Sequence, residues 1–132
     1  MNLPGIIALG LGFIAALLLL ALGGARRFAG LIILIIVAGI GAFFGSRAYR
    51  YETQYPQIDI GTSEARVFAL LGSPKRITNC GTIFGSPRGK AYPPVAGCVQ
   101  EYWYHSFYFP EAWQYGFDKD RKLIYKYHWI SY

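Results

Sequence analysis

Charge is what the first third of this chain lacks. Of 132 residues, the 46 from Met1 to Ser46 carry two charged side chains, Arg26 and Arg27, and no carboxylate. All seven acids and the other eleven of the thirteen Lys+Arg lie from Arg47 onward. A run without charge has no polar face, which excludes an amphipathic helix lying in the membrane interface. With no ionisable group inside it, such a run also excludes a proton or ion path of its own. Cysteine is scarce as well, only Cys80 and Cys98, and there are two histidines, His105 and His128. These four lack the close pair spacing of a Cys2His2 zinc site. Ser63, Ser73 and Ser86 have no nucleophile-elbow context, and residues 85–89 (GSPRG) lack the Lys-Ser/Thr of a phosphate loop. No catalytic, cofactor or metal site is expected, no small-molecule substrate, and the reading is of a protein that is not an enzyme.

What is present instead is lipid-soluble. Residues 3–22 and 28–44 are two uncharged apolar runs. About 20 helical residues at 1.5 Å each cross the roughly 30 Å hydrocarbon core of a bilayer. Pro4 opens the first run, where a missing amide donor costs a helix little. Only GGARR separates the runs, so they are expected to form an antiparallel hairpin over residues 1–46. A cleaved signal peptide wants a basic region before its apolar core, and none precedes Arg26, although Gly23-Gly24-Ala25 resembles a cleavage site. The other 86 residues are too few to wrap two uncharged helices as a soluble core. Small residues at four-residue spacing, Ala8, Gly12 and Ala16 on the first helix and Gly41 and Gly45 on the second, predict close helix packing within the hairpin and against a partner helix.

Arg26 and Arg27 in the link balance Arg47 and Arg50 at the far end, so the positive-inside rule does not orient the hairpin. The cysteines do better. Cys80 and Cys98 bracket a Gly/Pro-rich stretch, the expected pattern for a disulfide in an oxidising compartment. The alternative is a reduced pair in a cytosolic domain. The first option places the water-soluble half outside the cytoplasm, on a two-pass bacterial inner-membrane protein with a periplasmic C-terminal domain.

That half reads as a polar link, residues 47–57, and a small domain, residues 58–132. Thr62 is the expected N-cap of a short helix with Glu64 in its first turn and Val67, Phe68, Leu70 and Leu71 on its apolar face. Gly72 and Ser73-Pro74 stop it. Aromatic and β-branched composition predicts strands over 75–80, 99–109, 113–118 and 123–131. The fold class is therefore α+β, one helix on an antiparallel sheet of three to four strands. In the last strand Leu123, Tyr125, Tyr127 and Trp129 are expected on one face. In the second, Trp103, His105, Phe107 and Phe109 are expected against the helix, leaving Tyr102, Tyr104 and Tyr108 outward as partner-binding anchors.

The segment IGTSEARVFALLGSP, the Trp103-Tyr104 strand and GFDKDRKLIY together resemble the SmpA/OmlA (BamE-like) domain over about residues 57–130. The resemblance implies a small periplasmic α+β binding module, in its best-known members a lipoprotein supporting outer-membrane protein assembly. The chain departs from that pattern at its start. Both cysteines lie deep in the domain, so there is no lipobox cysteine, and two apolar helices stand where a lipid anchor would be. The function expected is an accessory or assembly subunit of an integral membrane protein complex, docking through its helices in the bilayer and through its exported domain. The alternative is a membrane-tethered binder of nucleic acid or anionic lipid with a cytoplasmic domain, since the soluble half carries eleven basic against seven acidic residues.

Overall fold

The computed structural model describes residues 3–22, 24, 26–83, 86–90 and 95–130. Its elements are α1 (Leu3–Ala21), α2 (Arg26–Gln54), a 3-10 turn (Tyr55–Gln57), α3 (Glu64–Leu71), β1 (Arg76–Thr78), β2 (Thr82–Ile83), β3 (Ser86–Lys90), β4 (Gln100–His105), β5 (Glu111–Phe117) and β6 (Leu123–Ile130). The fold is mixed α+β: two apolar helices, then a four-stranded antiparallel sheet in the order β1-β4-β5-β6. Both N-terminal helices are long and apolar enough to cross a membrane, with 6% of each apolar stretch buried. Leu11, Ile14, Leu18, Ile32, Ile35 and Ile36 are exposed, as lipid-facing side chains are.

The hairpin seam uses some of the expected small residues and not others. Ala16 is fully buried, and a Cβ added to Gly30 would meet the Ala16 carbonyl oxygen at 2.8 Å. Gly12 faces Val37 at 3.1 Å by the same measure. Ala8 is exposed, Gly45 has open space around it, and Gly41 faces the side chain of Tyr108. At 3.6 residues per turn a strict four-residue repeat drifts about 40° per step, so a line through Ala8, Gly12 and Ala16 leaves any one seam. The closest approach falls at Gly30, outside the four-residue pattern.

The larger departure is in residues 47–57. The expected polar link is helical: α2 runs unbroken through 29 residues to Gln54, about 43 Å at 1.5 Å per residue. Tyr51 on its last turns is buried, its ring 5.1 Å from Tyr104 and 5.4 Å from Trp113. Lys126 Nζ donates to the Tyr55 carbonyl at 2.8 Å and sits 4.7 Å above the Tyr55 ring. Two helices, not one, therefore cover the sheet. Tyr51, Ile58, Val67, Leu71, Tyr102, Tyr104, Trp113, Tyr115, Phe117 and Leu123 make the core between them.

Helix α3 starts one residue later than expected. Ser63 is the N-cap, its Oγ accepting from the Arg66 amide at 3.3 Å, and Ser63 also bridges to Lys122 beside β6. Gly72 ends it at φ 79°, ψ −163°, a region that only glycine enters without strain. In β6 the expected faces are corrected by a register shift at Gly116/Phe117. Leu123 pairs with Phe117 and enters the core, while Tyr125 pairs with Gly116 and faces the other way. A bulge changes the parity of every side chain beyond it, and alternation cannot foresee it. The last strand's expected end at Ser131 lies outside the described residues.

Between the cysteines a short hairpin, β2-β3, pairs Thr82 with Lys90. Pro87 lies within β3, and the Gly/Pro composition had marked this stretch only as loop. Cys80 and Cys98 are joined at a Cα separation of 5.9 Å. Freshly prepared protein should have a mass two hydrogens below that of the reduced chain, and reduction should lower domain stability by about 3 kcal/mol. Two thiols alkylated in the native protein without reductant would contradict this.

Candidate membrane and partner interface

Where α2 leaves the apolar run, the β4–β5 turn folds down against it. Phe107 stacks on Phe44 with ring centroids 4.1 Å apart and planes 16° from parallel. Tyr108 donates its hydroxyl to the Gly41 carbonyl at 2.9 Å, on the helix three residues before Phe44. Ser106 Oγ accepts from the Phe109 amide at 3.3 Å, which shapes the turn and leaves Phe109 66% exposed. The turn thus carries Phe107, Tyr108 and Phe109 alongside the end of the apolar run, the composition of a membrane–water interface belt.

Directly above, Arg47 is held on two sides. Its Nε donates to Tyr51 Oη at 3.0 Å and its Nη2 to the Ser73 carbonyl at 3.2 Å. The Tyr104 hydroxyl donates to the Gly72 carbonyl at 3.0 Å, which ties the end of α3 to the same place. Between these groups lies a cleft of about 420 Å³ whose lining includes Phe44, Phe107, Arg47, Lys75 and His105. Burial lowers the His105 pKa to about 4, with Lys75 and Arg76 adding to the effect, so the imidazole is neutral near pH 7.

A second groove, about 500 Å³, lies between α3 and the 118–122 turn. Behind it Glu64 is buried, accepting the Tyr102 hydroxyl on Oε1 and pairing with Arg121 Nη1 at 2.6 Å through Oε2. Arg121 adopts φ 57°, rare for a residue with a side chain. Burial and the Glu64 carboxylate push the Tyr102 hydroxyl up to about 12. Phe68 lies half exposed on the rim.

On the opposite face of the sheet Glu101 is fully buried. It accepts from the Gly81 amide at 2.7 Å, Trp103 Nε1 at 3.2 Å, Thr78 Oγ1 at 3.4 Å and the Tyr125 hydroxyl. Its carboxylate gathers with the sulfurs of Cys80 and Cys98 within 4.8 Å. Metal ligation wants thiolates, and a closed disulfide offers none. This cluster reads as an anchor for the cysteine-bracketed segment.

The tyrosines expected to face a partner are placed otherwise. Tyr102 is 6% exposed and Tyr104 fully buried, both in the core, and Tyr108 is spent on α2. Trp103, expected against the helix, is buried on the far face, beside the segment that starts at Cys80. With both faces of β4 covered, hydrophobicity does not tell them apart. Stacking of nucleic-acid bases on this strand would need the same rings exposed. The signal available in the sequence was the 3.6-residue recurrence of Phe44, Ala48, Tyr51 and Tyr55, which carries an apolar helical face on into residues 47–57.

Burial raises Tyr104, Tyr115 and Tyr125 along with Tyr102 and Tyr55. A folded pKa above the ordinary 10 contributes stability that is complete below pH 10 and is lost as pH rises through the folded values. Thermal melts should therefore fall steadily above pH 10, with the phenolate absorbance of these five tyrosines appearing only as the domain unfolds. Ionisation of these five near pH 10 in folded protein, resolved by single Tyr→Phe variants, would contradict the burial. No family model, no curated protein and no solved structure matches this chain.

Proposed function

We propose that this protein is a non-enzymatic accessory or assembly subunit of a bacterial membrane protein complex. In this reading it sits in the inner membrane with two passes, its C-terminal domain on the periplasmic side. One observation carries it: α2 is a single rod whose membrane end packs on α1 and whose other end supplies Tyr51 to the domain core. A partner can then be engaged in lipid and outside it by one rigid body, so the two contacts reinforce each other. The cysteine pair supports an oxidising compartment for the domain. The α+β arrangement of the domain fits what the BamE-like resemblance implies, and the resemblance remains part of the proposal.

With the three tyrosines committed elsewhere, the partner contact moves to the groove beside α3. Phe68 on its rim is an exposed aromatic with a guanidinium nearby, the residue types that dominate binding hot spots. Phe68→Ala should weaken partner retention by about 2 kcal/mol and leave the melting temperature of the domain unchanged. The experiment is co-purification in mild detergent from native membranes, with mass spectrometry of what remains bound. The full chain should retain a defined membrane partner and a chain lacking residues 1–46 should retain less. A full-length protein that purifies alone, or a reporter fused after Tyr132 that is active only in the cytoplasm, would remove this reading.

A further inference from the structure

The junction cleft brings together groups from four separated parts of the chain. Phe44 and Arg47 come from α2, Lys75 from the segment after α3, His105 from the end of β4 and Phe107 from the β4–β5 turn. Among the described residues that line it none is acidic. A guanidinium has five N–H donors. Arg47 uses its Nε and one on Nη2 within the protein, so three are left while the group is held in a fixed orientation. Lys75 is exposed and has no ion-pair or hydrogen-bond partner for its ammonium among the described residues. His105 borders the cleft as well, but its ring lies 6.1 Å from that of Trp103, so the site is built on Arg47 and Lys75.

We propose that this cleft holds the phosphate-bearing headgroup of an anionic phospholipid from the leaflet on the domain side, with Arg47 and Lys75 on the phosphate and the acyl chains descending past Phe44. Its location decides for a lipid over a soluble anion. Arg47 stands three residues beyond Phe44, the last residue of the apolar run, which is headgroup level for a spanning helix. Just below, Ile40 and Phe43 are exposed, so a chain leaving the cleft past Phe44 meets apolar surface. An inorganic phosphate site would gain nothing from the stacked Phe44–Phe107 wall. Arg47 and Lys75 together supply positive charge where a bilayer presents phosphate. The site does not depend on the accessory-subunit reading, because it needs only the bilayer.

Native mass spectrometry of the full-length protein tests it, with phosphatidic acid and phosphatidylcholine of identical acyl chains as probes and inorganic phosphate as competitor. One phosphatidic acid should bind at least about fivefold more tightly than phosphatidylcholine, and Lys75→Gln should weaken it about fivefold, as expected for one surface cation. Arg47→Gln with Lys75→Gln should abolish the preference. The charge-matched control, Arg66→Gln with Lys119→Gln, should keep it. Because Arg47 also braces the junction, unmodified protein is cross-linked in parallel with a headgroup-photoactivatable phosphatidic acid, and adducts should fall on peptides carrying residues 47 or 73–76. The proposal is overturned if Lys75→Gln binds as the native protein does, if the control loses the preference equally, or if adducts fall elsewhere. Displacement of the lipid by millimolar inorganic phosphate would equally overturn it, marking a soluble-anion site.

Discussion

Gly116→Ala is expected to unfold the C-terminal domain, although it adds a single methyl group. Gly116 lies in β5 between Tyr115 and Phe117, both fully in the core, and faces the other way, directly across from Tyr125. The Tyr125 ring lies flat over it. An added Cβ would stand 2.5 Å from Cδ1 and Cζ of that ring and closer still to Cε1. The ring cannot swing aside at low cost. Its hydroxyl donates to the buried Glu101 and accepts from Gln114 Nε2 at 3.1 Å. Displacing it would strip a donor from a carboxylate that has no access to water. Overpacking costs about 1–3 kcal/mol and loss of a hydrogen bond to a charged group about 1.5–3 kcal/mol. A loss of about 4 kcal/mol is a large share of the stability of so small a domain. Denaturant unfolding of the detergent-solubilised protein measures it. Tyr125→Phe keeps the ring and loses only the hydroxyl, so it should cost less, about 2 kcal/mol. In a Tyr125→Ala background the Gly116→Ala penalty should largely vanish, since the clash has no second party. If Gly116→Ala unfolds at the native midpoint, Tyr125 does not lie where this account requires.

The charge-free runs, the short helix and the four strands of the sheet were all legible from residue type and period, because each depends on neighbours close in sequence. What stayed hidden depends on contacts between distant segments. Arg47, Arg50 and Glu52 made residues 47–57 look like a solvated link, yet only Arg50 and Glu52 lie on the outer side of a helix whose inner side carries Arg47 onto the Ser73 carbonyl and Tyr51 into the core. The tyrosine and tryptophan faces of β4 are both buried, because α2 and α3 cover one and the cysteine-bracketed segment meets the other at Glu101. Ile124 is passed over where Gly116 pairs with Tyr125 and Phe117 with Leu123, and no single-strand pattern contains that register shift. The same holds in the apolar hairpin, where Gly30 approaches the Ala16 carbonyl although it belongs to no run of small residues at regular spacing. Candidate sites suffered most. A tyrosine reads as a surface anchor until a buried acceptor such as Glu64 is found for its hydroxyl.

Breaking α2 between the bilayer and the domain should have the second large effect. Arg50 is exposed, so Arg50→Ala should be nearly silent. Arg50→Pro removes the amide donor at the same position and drives its ring against the Ser46 carbonyl, at a cost of about 3 kcal/mol or more for a helix interior. Tyr51→Ala attacks the same connection from the core side. It empties the space between Tyr104 and Trp113, and a buried aromatic truncated to alanine costs about 3–5 kcal/mol. The two variants should share a signature beyond lost stability. Arg47 loses its Tyr51 hydroxyl in one and its helical setting in the other, so the domain is no longer braced on the membrane helix. Spin labels at Leu18, on the lipid face of α1, and at Lys119, on the exposed turn before β6, report this as a distance distribution. The native protein and Arg50→Ala should give one narrow peak, whereas Arg50→Pro and Tyr51→Ala should give a broad one. On the proposed accessory-subunit reading, partner retention should then fall toward that of the separated parts, since a flexible joint lowers the effective concentration of the second contact. An Arg50→Pro variant with the native peak width and native melting would mean that the rod is not what couples the domain to the membrane.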